Sequence, residues 1–353
     1  MNAVLDLARP EIVSLKPYSH AAWLPGLTRL HANEAPWRPD NDHSRSGLNR
    51  YPEPQPAALI ERLSALYGVP AARILATRGA DEAIDLLARI FLRAGVDAIL
   101  QCTPSFGMYQ VAARIQGAEV FEVPLQRERG WNLDAHQLLA AWRPGIKLLF
   151  LCSPNNPTAN RLDAAMLETV CVALEAKAVV VIDEAYVEWS RSPSLSGWLD
   201  RFPHLVILRT LSKAHALAGA RLGAMLAAPE LIEVAKRVIP PYALTQPTIE
   251  AALAALQPAQ LAVSESLRDS LLLEREYLGA GLCASPLVEK VWPSDTNFLL
   301  IDCLDTERFM KDSMSGGSIV RDLRANPALP RSVRVSVGTR AENDALLASV
   351  HRP

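Results

Sequence analysis

The chain has 353 residues, a net charge of −2 and no basic stretch, so it lacks the positive surface that nucleic-acid binding requires. No apolar run reaches the roughly 18 residues of a membrane-spanning helix, and we expect no signal peptide within residues 1–10. The five cysteines are scattered without zinc-site spacing, so we expect buried free thiols, no metal site and a cytoplasmic protein.

The first part of the chain predicts an irregular arm followed by alternating helices and strands. Proline is frequent in the first fifty residues and forbids long helices there, whereas residues 56–67 have the apolar spacing of a helix that Gly68 ends. Strands are expected at 74–77, 98–101, 120–123, 147–152, 178–183, 205–209 and 222–227, with helices at 80–92, 107–115, 134–141 and 164–176. Such alternation is typical of an α/β fold with a mostly parallel sheet covered by helices on both faces.

The pattern changes after residue 240. Helices are expected at 248–256 and 264–281, followed by short strands at 297–302, 318–321 and 332–337. This mixture predicts a second, smaller α+β domain, and the chain is long enough for two domains. We therefore predict a large domain over 45–240 and a small domain over 241–353, which the arm over 1–44 accompanies.

Two turns after predicted strands have the composition of ligand-binding loops. In open α/β sheets, ligands bind beyond the carboxyl ends of the strands. Residues 78–82 place Gly79 at the start of a helix, where free N–H groups could hold a phosphate; an ordinary capped helix is the alternative. Residues 153–158 form a proline- and asparagine-rich turn that could contact a ring hydroxyl, or could simply be a tight turn.

A lysine and an arginine after the strand at 205–209 indicate a cofactor. A lysine on such a loop can be desolvated, which makes its amine a nucleophile for an aldehyde, and Lys213 occupies that position. Arg221 has a guanidinium suited to a phosphate. Aldehyde and phosphate together indicate pyridoxal phosphate (PLP). The alternative, a surface lysine, is weakened because only seven of the 36 Lys and Arg residues are lysine.

Asp183 ends a fully apolar strand, where a free carboxylate is unfavourable. Paired with a pyridinium N–H, it would keep the ring nitrogen of PLP protonated, because an opposite charge favours the charged form. Protonation makes the ring an electron sink. The alternative is a carboxylate that caps a neighbouring helix.

Seven motifs occur in one order along the chain: NRYPE (49–53), RGADE (78–82), PSFGMY (104–109), SPNNPT (153–158), DEAY (183–186), TLSK (210–213) with Arg221, and RVSVGT (334–339). In these motifs the chain resembles the fold-type-I PLP-dependent aminotransferases, and within them those that act on histidinol phosphate. The resemblance covers nearly the whole chain. It implies an aspartate-aminotransferase-like fold and reversible amino transfer between histidinol phosphate and 2-oxoglutarate, which gives imidazole-acetol phosphate and glutamate.

The resemblance also implies roles around the cofactor ring. Lys213 would form the Schiff base with PLP and then act as the general base. Asp183 would pair with the ring nitrogen, and Tyr186 and Asn156 would bind the ring hydroxyl oxygen. Phe106 would lie against the ring face.

Further roles are implied for the cofactor phosphate and for a second subunit. The phosphate would be held by residues near two loop ends: Ala80, Asp81, Ser212 and Arg221. Tyr51 would reach the cofactor phosphate of the neighbouring subunit, which implies a homodimer.

Four residues are the candidates for substrate binding. Arg334 would bind the carboxylate of glutamate or 2-oxoglutarate, and Asn33 would lie near the substrate amine or carboxylate. Tyr18 and Arg321 are the candidates for the substrate phosphate.

Four positions depart from the usual pattern of this family. Phe106 stands for tyrosine, Ala159 for glycine, His31 for asparagine and His215 for an apolar aromatic residue. None removes a predicted catalytic group. An aromatic amino-acid aminotransferase and a PLP-dependent decarboxylase of an amino-acid phosphate remain alternatives on the same scaffold, whereas a PLP-sensing transcription regulator would need a basic DNA-binding segment.

Overall fold

A seven-stranded and a four-stranded sheet organise the computed structural model, which describes residues 4–19, 21, 24 and 26–351. The strands are β1 (Ile74–Thr77), β2 (Ala98–Thr103), β3 (Glu119–Pro124), β4 (Ile146–Cys152), β5 (Val179–Asp183), β6 (Leu205–Thr210), β7 (Gly223–Leu226), β8 (Val288–Val291), β9 (Phe298–Cys303), β10 (Arg321–Asp322) and β11 (Ser332–Ser336). The helices are α1 (Pro10–Val13), α2 (Ala57–Tyr67), α3 (Gly79–Phe91), α4 (Met108–Ile115), α5 (Ala135–Ala141), α6 (Ala164–Ala173), α7 (Pro229–Val238), α8 (Gln246–Ala255), α9 (Pro258–Cys283), α10 (Thr306–Ser315) and α11 (Arg340–Val350).

The larger sheet has the strand order β1-β7-β6-β5-β4-β2-β3. Strands β3, β2, β4, β5 and β6 are parallel, and β7 runs antiparallel to both of its neighbours. Its central strands are mostly apolar because both of their faces are covered, and alternate residues such as Val180 and Val181 belong to separate apolar clusters; the edge strand β3 is largely exposed. The predicted mostly parallel sheet is confirmed, and its parallel strands end at one edge.

The smaller sheet is antiparallel in the order β10-β11-β9-β8 and has its own apolar cluster with α9, α10 and α11. The predicted boundary at residue 240 falls between the last strand of the large sheet and the first strand of the small one. The sequence patterns did not predict α7, β8, α10 or α11. The strand predicted at 318–321 is wrong for residues 318–320, because the strand found there, β10, begins only at Arg321 and ends at Asp322.

The start of the arm differs from the prediction. Val4, Leu7 and Ala8 are buried in the apolar cluster of the large domain, and Arg9 N–H donates to the Ile90 carbonyl at 2.9 Å. The arm was expected to accompany the small domain. Its described first residues pack on the large domain instead, because the short apolar segment 4–8 finds a partner surface on α3 and α7.

Two further findings concern the predicted class of protein. None of the helices in the described ranges combines the length and the apolar character needed to span a membrane.

Four cysteines are buried as expected, but Cys283, at the last turn of α9, is exposed. The expectation of buried thiols is therefore wrong for Cys283, whose helix turns this position towards solvent.

An ion pair joins the two domains. Asp302 on β9 is 1% exposed and accepts hydrogen bonds from Arg127 Nη2 at 2.7 Å, Trp292 Nε1 at 2.6 Å and Ser332 Oγ at 2.6 Å. The Arg127 guanidinium also lies 5.2 Å from the centre of the Trp292 ring. This single carboxylate therefore accepts from one donor of the large domain and from two donors of the small domain, one just after β8 and one on β11.

We expect Asp302→Ala to lower the free energy of unfolding by about 2–4 kcal/mol, because three donors lose their acceptor and two of them are buried. Denaturant unfolding would measure the loss. Glu289→Ala is the control: the Glu289–Arg331 pair has half-exposed partners, so its loss should cost less than about 1 kcal/mol. Equal effects for the two variants would contradict a role for Asp302 in joining the domains.

Candidate active site

A cavity of about 500 Å³ opens at the carboxyl ends of β4, β5 and β6, between the two domains. It is lined by all but three of the predicted site residues: Ala80, Asp81, Phe106, Asn156, Asp183, Tyr186, Ser212, Lys213, Arg221, Arg321 and Arg334. Phe106, Asn156, Tyr186 and Lys213 meet there because the loops after parallel strands leave the sheet at one edge, whereas Arg321 and Arg334 come from the small sheet.

Asp183 is held at the bottom of this cavity by two hydrogen bonds. Its Oδ2 accepts from the Tyr109 hydroxyl at 2.7 Å, and its Oδ1 accepts from the Ala185 N–H at 3.0 Å. Burial raises the pKa of Asp183 to about 6, although the two hydrogen bonds act to lower it. No cation contacts this carboxylate among the described residues, so the buried charge is suited to a cationic partner in the cavity.

Lys213 lies on the loop after β6 and remains accessible to solvent through the open cavity. Partial burial, followed by the positive charges of Arg334 and Arg221, lowers the pKa of the lysine. The amine lies 5.6 Å from the centre of the Tyr186 ring. A lysine with a lowered pKa has a larger share of neutral amine, which is the nucleophilic form.

One end of the cavity is suited to an anion. Helix α3 begins there, and the first-turn N–H groups of Ala80 and Asp81 have no acceptor within the helix. Arg221 approaches Gly79 so closely that a Cβ on that glycine would lie 2.8 Å from its guanidinium. Arg221 also pairs with the Asp81 carboxylate at 3.0 Å, and its Nη1 donates to Ser212 Oγ at 3.4 Å.

Two arginines lie on the opposite side of the cavity. Arg321 and Arg334 are register partners on β10 and β11 of the small domain. Arg334 donates a short hydrogen bond to Asn156 Oδ1, and this contact links the small domain to the turn after β4. Because Oδ1 of Asn156 is occupied, its Nδ2 is left to donate into the cavity.

Three predicted residues lie outside this cavity in the single chain. Tyr18 is 71% exposed and lines a separate cavity with Glu53 and Lys236. Asn33 and Tyr51 line a third cavity, where the Tyr51 ring stacks on Tyr242 with centres 4.4 Å apart. The structure does not bring these three residues to the Lys213 cavity of their own chain.

Sequence reasoning missed several residues of the site. Tyr109 lies in α4 and Phe106 precedes that helix, so helical spacing did not relate them; their rings pack edge to face with centres 5.7 Å apart. Asn155 joins two loops, since its Oδ1 accepts from Ser105 and its Nδ2 donates to the Pro104 carbonyl. The cavity residues Leu323, Asn326 and Leu329 follow β10 in a loop that carries no recognisable pattern.

Comparison with known proteins places the chain in a family. The family model for aminotransferase class I and II matches residues 30–350. The chain belongs to the class I and II aminotransferase family. It is 44% identical to the histidinol-phosphate aminotransferase of Stenotrophomonas maltophilia (strain R551-3), across 99% of this chain and 98% of the relative.

Other members of the family are similar over most of their length. The histidinol-phosphate aminotransferase of Escherichia coli (strain SMS-3-5 / SECEC) is 41% identical, across 98% of this chain and 96% of the relative. The crystal structure of the histidinol-phosphate aminotransferase of Sinorhizobium meliloti in complex with pyridoxal-5'-phosphate superposes with a TM-score of 0.77 and 25% identity, covering 86% of this chain and 82% of that chain. The fold of this aminotransferase is therefore that of a fold-type-I enzyme, as predicted.

The active-site loops of this aminotransferase contain alanines with left-handed backbone. Ala159 has φ +64° after the turn at 153–158, and Ala216 has φ +55° three residues after Lys213. A side chain in this region costs about 1–2 kcal/mol relative to the right-handed conformation. The fold tolerates this cost at two loops that border the cavity.

We expect Ala216→Gly to raise the free energy of unfolding by about 0.5–1 kcal/mol, since glycine removes the strain but adds freedom to the unfolded chain. Chemical denaturation would measure the gain. In the control, Ala262→Gly within α9, the same substitution should cost about 1 kcal/mol because the position is helical. Destabilisation by both variants would show that the backbone at Ala216 carries no strain.

Proposed function

We propose that this aminotransferase transfers the amino group of L-histidinol phosphate to 2-oxoglutarate with PLP as cofactor, giving imidazole-acetol phosphate and L-glutamate. The observation that carries the proposal is one cavity that holds Lys213 and Asp183 together with Arg321 and Arg334 from the other domain. The similarity to histidinol-phosphate aminotransferases over nearly the full chain supports the same substrates.

The residues of the cavity fit PLP at both of its ends. The N-terminus of α3 and Arg221 suit the phosphate, which would replace the Asp81 carboxylate as the partner of Arg221. Asp81 would contribute its backbone N–H, because its carboxylate has the same charge as a phosphate. Ser212 would donate through its hydroxyl, and the buried Asp183 suits a protonated ring nitrogen.

The groups around the ring have defined tasks in this proposal. When bound, PLP supplies an aldehyde for the substrate amine and a ring that accepts the electron pair left by the departing α-proton. Phe106 lies at the cavity wall where it can cover one ring face. Asn156 and Tyr186 line the cavity and would donate to the ring oxygen, Asn156 through Nδ2 and Tyr186 through its hydroxyl. Lys213 Nζ, whose neutral form is favoured by its lowered pKa, would take the α-proton of the substrate and would later give a proton back.

The two arginines on the small domain would bind the distal part of both substrates. Histidinol phosphate carries a phosphate and 2-oxoglutarate carries two carboxylates, so a site for both must recognise anions of different shape. Guanidinium forks bind phosphates and carboxylates alike in bidentate pairs. We assign Arg334 to the carboxylate and Arg321 to the substrate phosphate.

The residues outside the cavity would act across a homodimer. Tyr51 is 49% exposed, and we propose that it reaches the cofactor phosphate of the neighbouring subunit. Tyr18 and Asn33 would likewise contribute to substrate binding from the arm. Several large apolar side chains of the arm, Leu27, Leu30 and Trp37 among them, are exposed in the single chain, as expected of a surface that a second subunit covers. We propose a cytoplasmic location for this dimer.

The visible absorption spectrum tests the function most directly. Purified protein should be yellow and should lose its long-wavelength band when histidinol phosphate is added without an acceptor. Addition of 2-oxoglutarate should restore the band. A band that responds only to an aromatic amino acid would favour an aromatic aminotransferase, and release of carbon dioxide from an amino-acid phosphate would favour a decarboxylase.

Arg321→Ala should raise the KM for histidinol phosphate about 10- to 100-fold while raising the KM for glutamate less, because a charge-assisted hydrogen bond to the phosphate is lost. Steady-state kinetics with each substrate would measure the two effects. Arg324→Ala is the matched control: Arg324 pairs with Asp322 on the same strand end and does not line the cavity. Equal increases for both substrates would contradict the assignment of Arg321 to the phosphate.

A further inference from the structure

An aromatic side chain lies behind the cavity, in contact with two of the residues that line it. Phe298, the first residue of β9, is 3% exposed and is not itself one of the lining residues. Its ring packs edge to face with the Tyr186 ring, with centres 5.3 Å apart, and the Arg334 guanidinium lies 5.3 Å from the centre of the Phe298 ring. One buried ring thus contacts a residue assigned to the cofactor and a residue assigned to the substrate.

The strand register explains why Arg334 lies over Phe298. Arg334 is the register partner of Leu300 and Phe298 is that of Ser336, so Phe298 and Arg334 are diagonal neighbours. Alternation along the strands places Phe298, Leu300 and Arg334 on one face of the small sheet. Leu300 belongs to an apolar cluster that consists mostly of large-domain residues, so this face is turned towards the large domain. The small sheet therefore brings Arg334 and its aromatic neighbour to the domain boundary together.

The backbone of Phe298 is held in place by hydrogen bonds. Its carbonyl accepts from Ser294 Oγ at 2.6 Å and from Thr296 Oγ1 at 2.9 Å. The Asp295 N–H donates to the Ala159 carbonyl at 2.8 Å, and this contact ties the segment before β9 to the turn after β4. The position of the ring is therefore fixed relative to both domains.

Arg334 has an aromatic face where a buried arginine usually has a carboxylate. It is half-buried, it donates to Asn156 Oδ1, and no carboxylate of the described residues pairs with it. Burial lowers the pKa of Arg334, and the positive charge of Arg321 acts in the same direction. By contrast, Arg127 at the same domain boundary is paired with Asp302. The charge of Arg334 is thus left available to a ligand.

A neutral partner suits an arginine that must bind a substrate anion. The face of an aromatic ring carries partial negative charge and attracts a guanidinium. A carboxylate in the same place would neutralise the arginine and repel the carboxylate of the substrate. Arginine also has many rotamers, and a side chain that is ordered before binding spares the complex that entropic cost. An aromatic ring can therefore orient the guanidinium without competing with the substrate.

We propose that Phe298 is a positioning residue: the face of its ring holds the Arg334 guanidinium in place for the carboxylate of glutamate or 2-oxoglutarate. The task of Arg334 rests on the proposed function, whereas the contact between the two side chains does not. Phe298 touches no substrate and acts only through Arg334.

A double-mutant cycle tests the contact. Phe298→Leu keeps an apolar side chain but removes the aromatic face, and Arg334→Met keeps an extended side chain but removes the charge. Phe298→Leu should raise the unfolding equilibrium constant about fivefold more when residue 334 is arginine than when it is methionine. Denaturant unfolding of the full-length holoenzyme, at one protein concentration, measures all four constants. The same increase in both backgrounds would overturn the proposal.

A trifluorinated phenylalanine at position 298 replaces the leucine variant if that variant does not fold. Fluorine nearly keeps the shape of the ring, but it withdraws electrons from the ring face and so removes the attraction for a cation. The unfolding equilibrium constant should rise about threefold more with arginine than with methionine at residue 334. Equal changes in the two backgrounds would overturn the proposal here as well.

Binding of a dicarboxylate tests the positioning role. Glutarate has two carboxylates but no keto group, so it binds without reacting. Its Kd for the holoenzyme, measured by isothermal titration calorimetry, should be roughly 3- to 10-fold higher for Phe298→Leu than for the wild type. The KM for 2-oxoglutarate should rise by the same factor while kcat stays within about twofold, and the KM for histidinol phosphate should rise less. A Kd equal to that of the wild type would overturn the positioning role.

Phe309→Leu is the matched control. Phe309 on α10 is fully buried in the apolar cluster on the opposite face of the small sheet, so its loss should destabilise the protein and leave the Kd for glutarate unchanged. Equal increases in Kd for both variants would overturn the proposal, because they would indicate a general loosening of the small domain. A wild-type holoenzyme that binds no glutarate would instead refute the assignment of Arg334 in the proposed function, and the role of Phe298 with it.

Discussion

Lys213→Ala should abolish multiple turnover, a loss of about 10⁴-fold, because no other amine is available to take the α-proton. Among the described residues, Lys213 is the only lysine that lines the cavity, whose other cations are arginines that keep their protons. Turnover of histidinol phosphate with 2-oxoglutarate, followed by the formation of glutamate, measures the loss. Normal multiple turnover without an added amine would contradict the role of Lys213.

The fold should survive this substitution. The Lys213 side chain lies over the Tyr186 ring, and the described residues offer it no hydrogen bond. We therefore expect the free energy of unfolding to change by less than about 1 kcal/mol. Lys236→Ala is the matched control: this lysine is exposed on α7 and pairs with Glu233, so its loss should leave both turnover and stability near wild type.

Asp183→Asn should lower kcat by about 10²- to 10³-fold and should stabilise the protein when PLP is absent. Activity falls because an amide carries no charge to hold the ring nitrogen of PLP protonated. Stability rises because the buried carboxylate is costly: its pKa is raised from 3.8 to about 6, which corresponds to about 1–3 kcal/mol.

The stabilisation should depend on pH. Below about pH 4 the carboxyl of Asp183 is neutral in both the folded and the unfolded chain, so wild type and variant should be similar. Between pH 4 and pH 6 the unfolded wild type ionises before the folded one, and the wild type loses stability relative to the variant. Denaturant unfolding of the PLP-free protein at pH 4.5 and pH 7.5 would measure this. A variant less stable than the wild type at both values would contradict the account.

The two predictions together describe a site in which function opposes stability. The buried Asp183 carboxylate has no cationic partner among the described residues, and a protonated ring nitrogen would provide one. Lys213 lies near Arg334 and Arg221, whose positive charges disfavour the charged form of the lysine. Each arrangement costs free energy in the protein alone and is useful only when a cofactor is bound. Ala216, three residues after Lys213, also costs free energy, because its left-handed backbone is strained.

The strands and the loops after them could be predicted from local sequence. Continuous apolar runs such as residues 179–182 of β5 indicate buried parallel strands, because only a strand covered on both faces lacks polar alternation. The carboxyl end of each strand then places the next polar residues at one edge of the sheet. Asp183 and Lys213 could be assigned to one site by this rule before any contact was known.

The small domain was harder to predict, because its elements are amphipathic and short. Helix α10 has charged residues through most of its length and only a narrow apolar side, and β10 has two residues. Such segments adopt their structure through contacts with distant partners, and local propensity decides little there. Leu323 and Asn326 line the cavity, and this could not be predicted from local sequence because their position depends on how the small domain packs on the large one.

The sequence by itself determined which residue types are available and where the strands of the large sheet end. Only the tertiary structure decided which of these residues meet: Tyr109 binds Asp183 across 74 positions of the chain, and Arg334 binds Asn156 across 178. It also placed the start of the arm on the large domain and His215 beside Glu188. The physical reason is that periodicity reports which side of an element is buried, whereas the partner on that side depends on how distant elements pack.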